Sequence, residues 1–317
     1  MDAFIVMLKN VIVFVLLAIP GFIISKKGMV KEKESGVLSK VLMYVGMPFL
    51  IISTTLNIEF NLQTALVIGI SFVATILFYV VLITATTLLV KKPEDDKKKG
   101  MVKFSMLFAN SGFLGIPLAK AVFGETQPLV VVSVIVVCIS MNIIMYTYGV
   151  NMVAGSKKKV SIKNIFLNPV FIAFIIGIII NLTNVSKNVV EVSTYTNYLS
   201  NIVTPLSMMI IGIKLGGIKF SSLFTTKTAY LVSAVKLVIV PTFVAGVMLI
   251  LNLFLSIPTE TIIGLFITFS MPTAGLASTF ADYYDGDNEN AVIFTLSSTI
   301  FSCFTISVLY YLLALVL

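Results

Sequence analysis

One apolar segment of this chain is interrupted by Phe108-Ala109-Asn110-Ser111-Gly112-Phe113-Leu114-Gly115-Ile116-Pro117, and a second, about 160 residues later, by Phe269-Ser270-Met271-Pro272-Thr273-Ala274-Gly275. In hydrocarbon, a backbone without its helical hydrogen bonds is tolerated only where protein covers it or a polar cavity meets it. Helices interrupted by glycine and proline at corresponding positions of two halves are typical of a solute-binding site in a membrane. The two interruptions therefore predict where a solute binds.

The composition of the chain indicates a membrane protein. Of its 317 residues, 58% are hydrophobic and 11% are charged, whereas about a quarter of the residues of a soluble domain are charged. Apolar stretches of about 20 residues, each long enough to cross a hydrocarbon core of ~30 Å, recur along the whole length. We therefore expect an all-α polytopic membrane protein.

The basic residues and cysteines exclude several functions. All 22 basic residues are lysine and the chain has no histidine, which excludes an imidazole proton relay and a histidine metal site. The net charge of +8 does not indicate nucleic-acid binding, because the lysines cluster in short loops, as topology signals do. Cys138 and Cys303 fall in apolar segments and are interpreted as small core residues. We expect no cofactor, no bound metal and no nucleic-acid partner.

Hydropathy and turn signals predict ten transmembrane helices. The stretch from Phe4 to Ile24 could be a signal peptide, but it is long, lacks an A-x-A-like cleavage site and is followed by Lys26 and Lys27. We therefore interpret it as the first helix. The ten predicted spans are residues 4–24, 37–56, 63–90, 101–123, 127–153, 165–184, 196–217, 228–255, 260–282 and 290–316.

The distribution of lysine predicts the orientation of these helices. The loops after helices 1, 3, 5 and 7 contain many lysines, whereas the even-numbered loops contain only Lys187. The odd-numbered loops are therefore expected to be cytoplasmic and both termini extracytoplasmic. Since each half has five helices, the second half, residues 165–317, must be inverted relative to the first, residues 1–153. Pro48 and Pro205 lie in the corresponding helices 2 and 7.

Both interruptions are predicted to lie near the middle of the membrane. Asn110 is about nine residues into helix 4, or roughly 14 Å, and Pro272 is about twelve residues into helix 9. Half-helices that begin there would direct backbone N–H groups and the positive ends of their dipoles at one small volume, which suits a carboxylate. A simpler interpretation is that glycine and proline only kink these helices, or that Gly112 and Gly115 serve close packing. The matched depth in two helices favours the binding site.

The residues around the interruptions resemble a known family. The run Asn110-Ser111-Gly112-Phe113-Leu114-Gly115-Ile116-Pro117-Leu118, continuing to Gly124, resembles the fourth helix of the auxin efflux carrier family, which includes plant PIN proteins and bacterial malate or malonate permeases. Met271-Pro272-Thr273-Ala274-Gly275, with Phe280-Ala281-Asp282-Tyr283-Tyr284 beyond it, resembles the ninth helix. Plant members have proline directly before the asparagine, where this chain has Ala109.

The resemblance implies a fold like that of the bile-acid symporters and the NhaA-type antiporters. Helices 1, 2, 6 and 7 would form a scaffold, usually dimeric, and helices 3–5 and 8–10 a moving core. The asparagine that corresponds to Asn110 would contact a carboxylate where helices 4 and 9 cross. The residues expected to bind the substrate are Asn110, Ser111, Gly112, Gly115, Pro117, Pro272, Thr273, Ala274 and Gly275.

Ionisable groups inside a membrane are candidates for function. Asp282, at the end of helix 9, is the candidate proton carrier, and Lys236, in helix 8, could pair with it or extend to the membrane surface. Lys120 could attract anions or extend in the same way, whereas Lys9 and Lys214, near helix ends, are expected to be anchors. One polar residue of helix 5 and five of helix 10 could also line the crossing: Asn142, Thr295, Ser297, Ser298, Thr299 and Ser302.

The sequence predicts a homodimeric secondary active transporter of small organic carboxylates in the cytoplasmic membrane, with elevator-type alternating access. An inorganic ion channel or cation antiporter with the same fold, and a non-transporting receptor, are the alternatives. A membrane enzyme is disfavoured because no metal cluster or recognisable nucleophile motif is present in the sequence. Transport could be coupled to H+ or Na+, or driven by the membrane potential alone.

Overall fold

The apolar segments of the chain form helices, because a helix satisfies its backbone hydrogen bonds within one segment and therefore suits hydrocarbon. Within the described part of the chain, the one extended pairing is an isolated antiparallel bridge between Ala109 and Thr273. The computed structural model describes residues 2–31, 34–56, 58–59, 61–90, 96–154, 169–183, 190–218 and 221–317, with only the backbone for residues 2–4, 6, 96, 282 and 283.

Thirteen helical segments, numbered in chain order, are present in the described residues. They are α1 (Asp2–Lys26), α2 (Ser35–Thr55), α3 (Leu62–Leu89), α4 (Asp96–Leu107), α5 (Ser111–Phe123), α6 (Pro128–Ala154), α7 (Pro169–Leu182), α8 (Val190–Gly217), α9 (Ser222–Thr225), α10 (Lys227–Leu255), α11 (Thr259–Ser270), α12 (Ala277–Tyr283) and α13 (Asn288–Ala314).

Seven of the described helices are long and apolar enough to cross a membrane, namely α1, α2, α3, α6, α8, α10 and α13. Three shorter apolar helices, α5, α7 and α11, accompany them. The predicted spans 101–123 and 260–282 are each divided at their interruption, and residues 165–168 and 184 of the sixth span lie outside the described residues. The all-helical, multi-pass membrane protein is thus confirmed. Ten spans and the inversion of the two halves stay predictions.

Four of the described helices contain a π turn, which is one residue wider than an α-helical turn. Three of these turns precede a proline, and Pro117 illustrates the cause. Proline lacks an N–H group, and its ring would collide with the carbonyl of Phe113, four residues earlier, so the turn widens. Pro48 and Pro241 are placed in the same way. The four turns are Leu42–Gly46 in α2, Ser111–Gly115 in α5, Met145–Gly149 in α6 and Val235–Ile239 in α10.

Small residues bring α1 close to α8, and α2 close to α7. A Cβ on Gly212 in α8 would collide with the backbone of Ala18 in α1, so a larger residue there would separate the two helices. In α7, the side-chain Nδ2 of Asn181 donates to the carbonyl of Thr55 at 2.7 Å, near the end of α2. Because α8 also packs against α2, these four helices form a contiguous group.

The helix α6 is buried along most of its length. α3, α5 and α11 pack against it, and the hydroxyls of Ser71 in α3 and Ser133 in α6 share a hydrogen bond at 2.7 Å. α10 packs against α11, and α13 packs against α1, α10 and α12. This packing brings together the two interruptions, which follow α4 and α11.

Candidate functional site

The two interruptions meet in a short antiparallel crossing. The N–H of Asn110 donates to the carbonyl of Pro272 at 2.7 Å, and the N–H of Ala274 donates to the carbonyl of Phe108 at 2.9 Å. Each interruption thereby satisfies backbone groups that the other would leave open in hydrocarbon. Beside them, the N–H of Ala109 lies 3.4 Å from the sulfur of Met141, a contact that proline at this position could not make.

Residues of α4 and α13 form hydrogen bonds with the second interruption. The N–H of Thr273 donates to the hydroxyl of Ser298 at 3.1 Å, and the hydroxyl of Thr273 donates to the carbonyl of Ser105 at 3.0 Å. The hydroxyl of Thr295 donates to the carbonyl of Ala274 at 3.4 Å. Two of the five hydroxyl residues considered in helix 10 therefore support the crossing, whereas three donate to carbonyls elsewhere: Ser297, Thr299 and Ser302.

The C-terminal ends of α4 and α11 meet the side chain of Lys236, which has no exposed surface. Its Nζ lies 3.4 Å from the carbonyl oxygens of both Leu107 and Phe269. The hydroxyl of Tyr79 also donates to Leu107, at 3.2 Å. Lys236 therefore does not extend to the membrane surface, but supplies donors to carbonyls that a helix end leaves open. Its pairing with Asp282 stays a prediction, because the Asp282 side chain lies outside the described residues.

In contrast to these carbonyl ends, the N-terminal end of α5 has backbone N–H groups without an acceptor in the helix. The carbonyl of Asn110 accepts the N–H groups of Leu114 and Gly115, both at 3.1 Å. Since these bonds are the first of α5, the preceding N–H groups have no acceptor within the helix. They belong to Ser111, Gly112 and Phe113.

The side chain of Asn110 is buried without a partner. The residue is 4% exposed, and its Nδ2 makes no hydrogen bond within the described part of the chain. Most buried polar side-chain atoms have a partner, and leaving one unpaired costs about 1–3 kcal/mol. Gly275 lies directly against this amide, since a Cβ there would be 3.3 Å from both Nδ2 and Oδ1. An acceptor that binds beside Asn110 would satisfy the open donor.

A cavity adjoins this amide. The centres of water-sized molecules can occupy about 40 Å³ of it, which suits a few waters or one carboxylate group. Among the described residues that line it, none is aspartate or glutamate. Five residues singled out in the sequence line the cavity: Asn110, Gly112, Asn142, Ala274 and Gly275.

The other residues expected to bind substrate hold the interruptions in place. The hydroxyl of Ser111 lies 3.8 Å from the sulfur of Met141, and a Cβ on Gly115 would be 3.1 Å from the Met271 side chain. The remaining members form the crossing or follow the π turn of α5: Pro272, Thr273 and Pro117.

Sulfur-containing side chains form much of the cavity wall, a feature that was not predicted from the sequence. Cys138 lines the cavity instead of serving only as a core residue, and Asn142 Nδ2 lies 3.8 Å from its sulfur. The signal was present, because residues spaced by three, four and seven share one face of a helix. The sulfur-containing and aromatic residues of the wall are Met43, Met47, Phe113, Cys138, Met141, Met145 and Tyr146.

Two further lysines link helices around the crossing. The Nζ of Lys120 in α5 lies 3.2 Å from the hydroxyl of Ser53 and 3.5 Å from that of Ser200. The prediction that Lys214 is a surface anchor is wrong, because its Nζ lies 2.8 Å from the hydroxyl of Ser278 in α12. Sequence position alone located both lysines near helix ends and could not show that they point toward other helices.

Two interrupted helices that cross inside a bundle of membrane-spanning helices are typical of solute transporters. The comparison with known families agrees. The model of the membrane transport protein family matches residues 5–167 and 158–310 of this chain. The chain belongs to this family, the auxin efflux carrier family that its two interruptions resemble. It is a multi-pass membrane transport protein.

Two archaeal proteins, each described as an uncharacterized transporter, are similar to the chain. One, from Methanothermobacter thermautotrophicus, is 25% identical over 296 residues, which cover 92% of this chain and 93% of the relative. The other, from Methanocaldococcus jannaschii, is 26% identical over 211 residues, which cover 65% of this chain and 68% of the relative. Both descriptions agree with membrane transport.

Proposed function

We propose that this protein is a secondary active transporter of small organic carboxylate anions, and that Asn110 binds the carboxylate. The observation that carries the proposal is the unpaired Nδ2 of Asn110, which is buried beside the cavity. A carboxylate is a pure acceptor with several lone pairs, and the start of a helix attracts negative charge. A carboxylate therefore supplies the hydrogen-bond acceptor that Asn110 and the start of α5 lack.

The composition of the cavity wall supports an anion over a cation. Gly112 contributes an open N–H group and Asn110 an open amide, so a ligand meets donors first. A metal cation needs oxygen ligands, often carboxylates, and no acid is among the described lining residues. An ion channel or cation antiporter is therefore the less favoured alternative. A non-transporting receptor would use the same donors and would differ only in the absence of flux.

The packing supports the division into two bodies that the resemblance implies. α1, α2, α7 and α8 form one contiguous group, α6 packs against α3, α5 and α11, and α13 contacts both α1 and α10. We propose ten helices in two inverted halves, 1–153 and 165–317, with the first group as a dimeric scaffold. The other helices would carry the crossing between the two faces of the cytoplasmic membrane, and both termini would be extracytoplasmic. Coupling would use H+ through Asp282, use Na+, or rely on the membrane potential.

The first experiment measures ligand binding by the purified full-length protein. Thermal stabilisation is recorded with malate, malonate, succinate, lactate and indole-3-acetate, and the acid with the largest shift is used for uptake into proteoliposomes. A hydrogen bond to a charged group contributes about 1.5–3 kcal/mol, and about 1.4 kcal/mol is a factor of ten in affinity. Asn110→Ala should therefore raise the Kd by roughly 10- to 100-fold without lowering the melting temperature.

The matched control is Asn151→Ala. Asn151 also lies in a membrane helix and has an unpaired side-chain atom, but it does not line the cavity, so its variant should bind the acid like the wild type. An Asn110→Ala variant that binds and transports normally would overturn the role of Asn110. Stabilisation by an inorganic ion and by none of the acids would support the ion-transporter alternative, and binding without flux would indicate a receptor.

A further inference from the structure

A groove runs between α10 and α13 on the exposed surface of the helix bundle. The centres of water-sized molecules can occupy about 290 Å³ of it, compared with about 40 Å³ in the cavity beside Asn110. The groove and the cavity share no lining residue among those described. Because α10 and α13 are both long and apolar enough to cross a membrane, the groove is a separate site that faces the hydrocarbon of the bilayer.

The dimensions and composition of the groove suit a hydrocarbon chain. Its α10 wall extends from Tyr230 to Val238, a rise of about 12 Å along the helix axis. Its α13 wall extends from Phe301 to Thr305, and the rings of Phe301 and Tyr230 lie 5.7 Å apart. Phe304 is 72% exposed. An apolar groove on a membrane-spanning surface contacts lipid tails, because no water is available there to fill it.

One polar group in the groove has no partner. Ser233 lines the groove and is 4% exposed, and its hydroxyl makes no hydrogen bond within the described part of the chain. Hydroxyl residues in helices commonly donate to the carbonyl three or four residues earlier, as Thr299 of α13 does. A buried donor that is left unpaired is costly. Hydrocarbon alone would leave it unpaired, whereas a ligand that carries an oxygen acceptor beside its chain would satisfy it.

A positive charge lies beyond one end of the groove. Lys227 is the first residue of α10 and is exposed. It precedes Ser233 by a rise of about 9 Å, and the long stem of a lysine can extend along an apolar surface toward the headgroups. At the same end, the hydroxyl of Tyr230 donates to the carbonyl of Phe224 at 2.9 Å. Lysine near a membrane surface attracts anionic headgroups.

We propose that this groove binds an anionic glycerophospholipid of the bilayer. One acyl chain lies along the α10 wall, an oxygen of the glycerol linkage accepts from the hydroxyl of Ser233, and the phosphate lies near the amino group of Lys227. Apolar wall, open donor and positive charge follow one another along α10 in the order in which a phospholipid presents its chain, its glycerol oxygens and its phosphate. The inference does not depend on which solute the protein transports.

The position of the groove gives the lipid a structural role. α10 packs against α11, which precedes the second interruption, and α13 packs against α12, which follows it. A phospholipid between α10 and α13 would therefore bind together the helices that support both sides of this interruption. We expect the lipid to stabilise the folded protein.

The experiment uses the purified full-length protein in detergent after its lipids have been removed. Phosphatidylglycerol and phosphatidylcholine with identical acyl chains are titrated, and binding is read by native mass spectrometry and by the melting temperature. Phosphatidylglycerol should bind more tightly. Lys227→Gln should weaken its binding by about fivefold and leave phosphatidylcholine within about twofold. Lys40→Gln is the matched control, because it removes the same charge at an exposed position that does not line the groove.

Two further variants test the groove itself. Ala234 is exposed and lines the groove, so Ala234→Phe should fill it and weaken the binding of phosphatidylglycerol without disturbing the packing of the bundle. Leu231→Phe is its control, because Leu231 is an exposed residue of the same helix outside the groove. Ser233→Ala should weaken binding several-fold, while the lipid-free melting temperature stays the same or rises.

A measurement on the wild type is independent of how the variants fold. Phosphatidylglycerol with a photoactivatable acyl chain should label residues 230–238 and 301–305, read by peptide mass spectrometry. Labelling spread evenly over the exposed helices, or equal binding of phosphatidylglycerol by Ala234→Phe and Leu231→Phe, would overturn the proposed site. Equal binding of the two lipids by the wild type would overturn the role of Lys227, and unchanged binding by Ser233→Ala would overturn that of the hydroxyl.

Discussion

The carbonyl ends of α4 and α11 and the N–H end of α5 differ in whether their hydrogen-bonding groups have partners in the protein. At the carbonyl ends of α4 and α11, the protein provides its own donors, Lys236 and Tyr79. At the N–H end of α5, three backbone groups have no acceptor within the helix, and the amide nitrogen of Asn110 has none in the described chain. One end is thus completed by the fold, and the other is open to a cavity.

This difference indicates what kind of ligand completes the site. A helix end buried without partners is costly, so a fold selected for stability alone would pair both ends. A cation would be suited to the carbonyl ends, where the amino group of Lys236 already lies. The open positions are donors, and the missing partner is an acceptor.

The largest expected effect on stability comes from removing the lysine donor at the carbonyl ends of α4 and α11. Lys236→Met keeps the apolar stem but removes the donor of Phe269 O and one of the two donors of Leu107 O. A buried carbonyl left unpaired costs about 1–3 kcal/mol, so the variant should be less stable by about that amount. Thermal unfolding in detergent measures this, with Lys227→Met as the control, because Lys227 is an exposed residue of the same helix. Equal melting temperatures for the two variants would contradict the role given to Lys236.

A smaller effect is expected at the second interruption. Thr273→Val removes the hydroxyl that donates to Ser105 O but leaves the N–H that donates to Ser298. Stability should fall by about 1 kcal/mol, while the affinity for the acid should stay within about threefold of the wild type. Paired unfolding and binding measurements test this separation, and Asn110→Ala should give the opposite pattern. A loss of affinity in Thr273→Val without loss of stability would assign ligand binding to the second interruption as well.

The smallest expected effects come from alanine substitutions of two glycines that line the cavity, Gly275 and Gly112. A Cβ on Gly275 would be 3.3 Å from the Asn110 amide and would displace it by a few tenths of an ångström. Gly275→Ala should therefore weaken acid binding by several-fold. A Cβ on Gly112 would meet the flexible end of Met47 at 3.4 Å, so Gly112→Ala should be as stable as the wild type or up to about 1 kcal/mol more stable. Tighter acid binding by Gly275→Ala would show that the amide of Asn110 is not positioned for the ligand.

The sequence predicted the interruptions well because glycine, proline and asparagine act locally on the backbone. Asn110 and Pro272 lie in the crossing and Gly112, Ala274 and Gly275 line the cavity, whereas their role in substrate binding stays a prediction. The multi-pass helical architecture could be predicted for the same reason, since apolar stretches of membrane-spanning length are read directly from the chain.

The contacts of long side chains could not be predicted, because they depend on the rotation of each helix. The positions of Lys236 and Lys214 along their helices could be read from the sequence. Their partners could not, because Phe269 and Ser278 lie 33 and 64 residues away along the chain. The half-helix that follows the second interruption, α12, is only seven residues long. Its dipole therefore contributes less to the site than that of the longer half-helix α5. The role of Asp282 stays a prediction.

The π turns have a consequence for how this chain tolerates changes in length. Three of them contribute residues to the cavity wall, through Met43, Phe113 and Tyr146. Each holds one residue more than an α-helical turn needs. Of these three, the turn Met145–Gly149 in α6 is the one that no proline follows within its helix, so removing a single residue there would restore a regular helix and leave the flanking helix faces in register. Single-residue deletions inside a spanning helix normally rotate everything beyond them by about 100°. In this protein, a segment that lines the cavity is therefore one where the chain can be shortened without disturbing the rest of the bundle.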